Sequence, residues 1–133
     1  MPATDLLDLY IEDEKSKPFA WGQENGDCLL FLLGWTERCG RTSPSSWRGA
    51  YACEAEAKAL LAAAGGAVVA VTETLGTPRI GSPAARGDVG LLSVDDWHLG
   101  MICTGSMWVL RAGTRGVRLT RSAPEIIWDM RLQ

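Results

Sequence analysis

The apolar positions near the start of the chain, Leu6, Leu7, Leu9, Tyr10 and Ile11, are spaced so that a helix buries them on one face, and the stretch from Lys15 to Pro18 ends it. A loop with two glycines and two aromatics follows, Pro18-Phe19-Ala20-Trp21-Gly22-Gln23-Glu24-Asn25-Gly26. It leads into Asp27-Cys28-Leu29-Leu30-Phe31-Leu32-Leu33-Gly34-Trp35, which is apolar nearly all round. A helix of that type belongs at the centre of a fold, covered on most sides. Asp27 is its natural N-cap, which sets Cys28 at the first helical position, and Arg38-Cys39-Gly40-Arg41 closes it.

Beyond a Ser43-Pro44-Ser45-Ser46 loop, the Glu- and Ala-rich run Glu54-Ala55-Glu56-Ala57-Lys58-Ala59-Leu60-Leu61 predicts a third helix that stops at Gly65-Gly66. The run Ala67-Val68-Val69-Ala70-Val71-Thr72 fits two structures. Its β-branched residues favour a strand, while its length and the Leu75-Gly76 ending suit a short helix, and the balance tips slightly to the helix. From Gly87 the period changes. Short apolar runs at 88–92, 97–103, 107–110 and 117–119 are separated by Gly, Ser, Asp and Thr, the pattern of an antiparallel meander. Ser122-Ala123-Pro124-Glu125 resembles a capping box, after which residues 126–132 read as helix or as a last strand. Helices first and sheet second make the chain α+β, one domain over 1–133 with its N-terminal helices packed on one face of a C-terminal antiparallel sheet.

Composition narrows the function classes. The 133 residues are 47% hydrophobic and 22% charged, which suits one globular core. Thirteen Lys and Arg against sixteen Asp and Glu leave a net charge of −3, so no overall positive field exists to hold a nucleic-acid backbone. The longest strongly apolar run, residues 29–33, is far shorter than the roughly 20 residues of a spanning helix, and no membrane span is expected. Acidic residues also stand where a secretory signal would carry basic ones, so the chain is expected to stay in the cell that makes it. Cys28, Cys39, Cys53 and Cys103 are irregularly spaced, with no C-x-x-C pair and His98 as the one imidazole, so neither a metal site nor a cofactor is expected. Cys39, Cys53 and Cys103 read as buried thiols acting as small hydrophobes. Trp35 reads as core, and Trp47, Trp108 and Trp128 as candidates for an interface. Arg111, Arg115, Arg118 and Arg121 alternate along the C-terminal strands and read as a solvated face, with an acidic docking partner as the other reading.

Cys28 carries the candidate chemistry. A thiol in the first turn of a helix sits at the positive end of the helix dipole, which favours thiolate, and the unpaired N–H groups there can receive an oxyanion. Such a nucleophile lacks only a base, and His98, on a predicted strand, is the available one. Asp27 is accounted for as a cap and Asp88 as a turn residue before a strand. Trp21 reads equally as a substrate-groove residue or as core.

At these residues the chain resembles a known family. Phe19-Ala20-Trp21-Gly22 followed by Gly26-Asp27-Cys28 is similar to the aromatic-x-Trp-Gly and Asp-Cys segment of the NlpC-type cell-wall cysteine peptidases, a branch of the papain-like superfamily. Arg86-Gly87-Asp88-Val89 resembles that family's Gly-Asp-hydrophobic strand, and His98-Leu99-Gly100-Met101-Ile102 its His-x-Gly-Ile strand. The resemblance runs from about Pro18 to the end, and Tyr51, Glu54 and the Gly65-Gly66 helix end are most similar to proteins encoded among tail genes of phages and gene transfer agents. It implies a papain-like fold, with Cys28 as nucleophile, His98 as base and then acid, and the N–H groups at the start of the Cys28 helix as the oxyanion site, and it leaves Trp21 as the candidate substrate-binding residue named above. It also implies cleavage of amide bonds in peptidoglycan stem peptides, with synthesis in the host cytoplasm followed by residence at the tail tip or baseplate beside hub and distal-tail proteins. Two segments depart from the pattern. Trp108 and Leu110 stand where the strand after His98 should supply a polar residue to orient the imidazole, and Leu29-Leu30 replaces the usual Ser-Gly. These departures suit a second expectation, a catalytically inactive structural subunit of the tail tip. A third is a cytoplasmic amidase or transglutaminase-like enzyme.

Overall fold

A computed structural model describes residues 5–41, 47–81, 83–95 and 97–130. Four helices come first, α1 (Leu6–Glu14), α2 (Cys28–Arg38), α3 (Glu54–Ala63) and α4 (Ala67–Leu75). Six strands follow, β1 (Arg79–Ile80), β2 (Val89–Val94), β3 (Trp97–Cys103), β4 (Trp108–Leu110), β5 (Arg118–Thr120) and β6 (Ile126–Trp128). They form one antiparallel sheet in the order β1-β6-β2-β3-β4-β5. The fold is α+β, and residues 67–72 are helical. The meander holds from β2 to β5, but the chain then returns as a strand to pair with the outer side of β2, and the two-residue β1 joins beyond it. The expected Ser43–Ser46 loop lies outside the described residues.

The central helix is α2, whose residues from Cys28 to Thr36 are all buried. Asp27 caps it as its sequence position predicts, accepting a hydrogen bond from Leu30 N–H at 2.9 Å. Leu32, Leu33 and Trp35 meet Val89, Leu91, Ile102, Val109 and Trp128, the sheet residues that strand alternation turns to one side. Tyr10 of α1 closes the other flank, its ring 5.2 Å from that of Phe31 and its hydroxyl donating to Phe31 O at 2.6 Å. The opposite sheet face holds a smaller cluster, Met101, Cys103, Trp108, Leu110 and Ile127. Trp108 and Trp128 are therefore core and not interface residues, because β4 and β6 lie inside the sheet and their indoles are buried in the clusters on its two faces; Trp47 is half-buried.

Arg111 corrects the expectation of a solvated basic face. It is 1% exposed, because β4 ends against the C-terminus of α1 instead of in solvent. Its guanidinium is paired with the Glu14 carboxylate, itself 1% exposed, and donates to the backbone oxygens of Glu14, Lys17, Asn25 and Gly116. The planar fork matches this cage of acceptors, so each of the three guanidinium nitrogens has a partner in the buried site. Arg115, Arg118 and Arg121 are exposed as expected.

Removing one member of such a pair leaves the other as a buried uncompensated charge, which costs about 3 to 5 kcal/mol. Arg111→Met and Glu14→Gln are each expected to lower unfolding stability by that amount in urea titrations. The double variant, Glu14→Met with Arg111→Met, should lose about half of the summed cost or less, since its burial is apolar on both sides.

Candidate functional site

The loop before α2 is held by one carboxylate. Asp27 Oδ1 caps Leu30, while Oδ2 accepts from Gly22 N–H at 2.9 Å and from the Tyr51 hydroxyl at 2.8 Å. A side chain 1% exposed thus joins the Trp-Gly turn, the helix start and the segment before α3, which is more than a cap alone explains. Gly22 has φ +70° and lies against the Tyr51 carbonyl, so no side chain fits there. Burial and the Asp27 charge push the Tyr51 phenol well above its ordinary range.

Cys28 stands where its position after the cap predicts, at the first residue of α2. Its Sγ lies 4.0 Å from His98 O, so the thiol donates to the backbone of the strand that carries the histidine, 70 residues away. Gly100 N–H and the Trp97 side chain also point at the sulfur. β4 pairs with β3 only at Ile102 and Cys103, so the Trp97 to Gly100 end of β3 is left for α2 to meet. Gly100 permits the approach: a Cβ there would stand 2.6 Å from Cys28 O and 3.1 Å from Leu32 Cβ.

The electrostatics depart from the expectation of a thiolate. Cys28 is 4% exposed, and burial pushes its thiol above the ordinary value, helped by the Asp27 charge 1 residue away. The hydrogen bonds from Gly100 and Leu29 pull the other way and do not prevail. The helix dipole acts on this sulfur, but withdrawal from water acts more strongly. Of the remaining thiols, Cys103 is buried as expected, while Cys39 and Cys53 are less covered than expected. Cys39 is half-buried with its thiol raised to about 11 by burial, and Cys53 is exposed at the start of α3, where its side chain makes no capping hydrogen bond.

His98 is half-buried and lines a cavity of about 290 Å³ with Lys58, Leu61 and Ala62 of α3, Gly66 and Ala67 at the start of α4, and Trp97. Among the described residues no hydrogen bond joins its imidazole to the Cys28 thiol; the contact between the two residues is through the backbone carbonyl. β4 turns Val109 to the helix side and Trp108 and Leu110 to the reverse face, so that strand offers His98 no orienting group. Asp88 behaves as the turn residue expected, accepting from Ala85 N–H and Met130 N–H at 2.8 Å each. Asp95 sits in the turn before β3, and Asp96 lies outside the described residues.

Trp21 is half-buried, its ring edge-on to Phe19 at 4.9 Å and to Trp97 at 6.0 Å. Lys58 Nζ lies 5.5 Å above the Trp97 ring. A wall of Phe19, Trp21 and Trp97 therefore runs from the loop before α2 to the cavity mouth. Trp97 and Lys58 escaped the sequence reading, since neither belongs to a motif and their meeting depends on how α3 packs near β3. Among the described residues no group of three or more His, Cys, Asp or Glu could hold a metal ion, and no single helix is long and apolar enough to cross a membrane.

Two outcomes follow. Gly100→Ala should destabilise the protein by about 1 to 3 kcal/mol in urea unfolding, because the added methyl forces β3 off the start of α2. With iodoacetamide at pH 7.5, peptide mapping should find Cys53 labelled first. Cys28 should follow only at alkaline pH or on unfolding, because a raised thiol carries little thiolate below its own value.

No curated protein matches the chain, and no solved structure matches it. A family model does match, over residues 3–130. The chain belongs to that family, described as a domain of unknown function, DUF6950.

Proposed function

We propose that this protein is a papain-like cysteine hydrolase that cleaves amide bonds of peptidoglycan stem peptides from a phage tail tip or baseplate during DNA delivery. The observation that carries the reading is the meeting of Cys28 Sγ with β3 at His98, 4.0 Å away at the carbonyl oxygen, beside a cavity that the same histidine lines. The resemblance of the Trp-Gly, Asp-Cys, Gly-Asp and His-x-Gly segments supplies the substrate class and the tail location, with hub and distal-tail proteins as neighbours.

In this mechanism His98 is a general base acting on a neutral thiol, in keeping with the raised Cys28. A ring nitrogen takes the thiol proton as sulfur adds to the amide carbonyl. The N–H groups at the start of α2 receive the oxyanion, and the amine leaves with the proton from the imidazole. Water then attacks the thioester, gives its proton to His98, and releases the carboxylic acid and the thiol. The ring must turn towards Sγ for the first step, a movement that substrate binding drives where apo geometry is loose.

A second reading has its own support. The covered thiol and the apolar residues behind it suit a papain-like subunit that serves only in assembly of the tail tip.

Digestion of purified peptidoglycan separates the two. The wild-type chain should release new amino groups detectable by mass spectrometry, and Cys28→Ser and His98→Ala should each lower the rate by about a thousandfold or more. Equal release by wild type and Cys28→Ser would leave the assembly role as the function.

A further inference from the structure

We infer that β5 is a docking edge for an acidic extended polypeptide, which pairs with it as a further strand of the sheet. The inference is independent of the hydrolase reading and holds equally for a subunit that serves only in assembly. β5 ends the sheet on one side, and among the described residues no strand pairs with its outer edge. The ladder fixes which of its backbone groups are free. Thr104 N–H donates to Met107 O at 2.8 Å, so in the alternation of an antiparallel pair Ile102 and Val109 exchange hydrogen bonds while Cys103 and Trp108 do not. Trp108 and Leu110 therefore turn their polar groups to Thr120 and Arg118. The N–H and C=O of Leu119, between those two, point away from the sheet.

The run into this edge is anchored. Gly116 N–H donates to Lys17 O and Phe19 N–H to Thr114 O, each at 2.9 Å, and Gly116 O accepts from Arg111. A strand held in this way loses little further freedom when a partner is added. The side chains state the partner's chemistry. Arg118 and Arg121 are exposed and, among the described residues, meet no carboxylate, and Arg115 beside them donates to Ser16 O. Leu119 itself is 60% exposed. The other edge differs, for Arg79 of β1 is already paired with Asp129 at 2.9 Å. A second copy of β5 in this place would set arginine beside arginine, so the occupant is a different, acidic segment. By strand alternation its residue opposite Leu119 is apolar and the neighbour opposite Arg118 is Glu or Asp.

The test reads binding by the full chain labelled with 15N. The peptide acetyl-Glu-Val-Glu-Val-Glu-amide should shift the Leu119 amide and its neighbours, and at low salt it should bind about tenfold more tightly than acetyl-Lys-Val-Lys-Val-Lys-amide. The acidic peptide methylated at both valine nitrogens cannot donate to Leu119 O and should lose the binding. Leu119→Pro removes a donor that β4 does not use, so this variant should fold and fail to bind. Arg118→Glu with Arg121→Glu should turn the preference to the lysine peptide. No shift at Leu119, or equal binding of the methylated peptide or of the lysine peptide, would overturn the assignment. Leu119 shifts that grow with protein concentration alone would give the edge to a second copy and overturn it as well.

Discussion

The path of the chain between α1 and α2, which leads to Cys28, is held by one buried cation. The Arg111 guanidinium gathers the backbone oxygens of Glu14, Lys17, Asn25 and Gly116 around itself and pairs with the Glu14 carboxylate. Four points of the chain are thereby held within hydrogen-bond reach of one planar group. Asn25 lies 3 residues before the thiol, so the start of α2 inherits its place from a residue at the end of β4. Loops resist burial because their polar groups need partners, and Arg111 supplies them.

Asp27 continues the same construction. By taking hydrogen bonds from Gly22, Leu30 and Tyr51, it ties the helix start to the aromatic loop and to the approach to α3. These contacts have an electrostatic consequence. The carboxylate that orders the site also opposes ionisation of the thiol beside it, and burial adds to that effect. The Cys28 thiol is therefore held as a neutral donor to the His98 carbonyl, with no ion pair at rest.

Residue character announced many of these parts. Asp27 before an all-apolar run marks a helix start with Cys28 in its first turn, and Gly65-Gly66 ends α3 because only glycine tolerates the φ values of +98° and +109° found there. The span of β3 is legible from the apolar run between Asp96 and Thr104. Residues 126–128 were undecided because three apolar residues fit either element until a partner strand is present, and β2 is that partner. Arg111 was misread for a related reason: an arginine at a strand end, with three further arginines at 115, 118 and 121, has the local pattern of a wet face, and its carboxylate partner lies 97 residues earlier.

The sequence by itself determined the local features of this protein: helix starts and stops, the change of period at Gly87, the α+β order, and the presence of a capped thiol and one imidazole. These depend on interactions within a few residues, which local composition encodes. Tertiary structure alone decided that Arg111 is buried, that the Cys28 thiol is raised, and that Trp97 and Lys58 line a cavity with His98. Burial and desolvation depend on which distant segments cover a group, and that coverage is a property of packing.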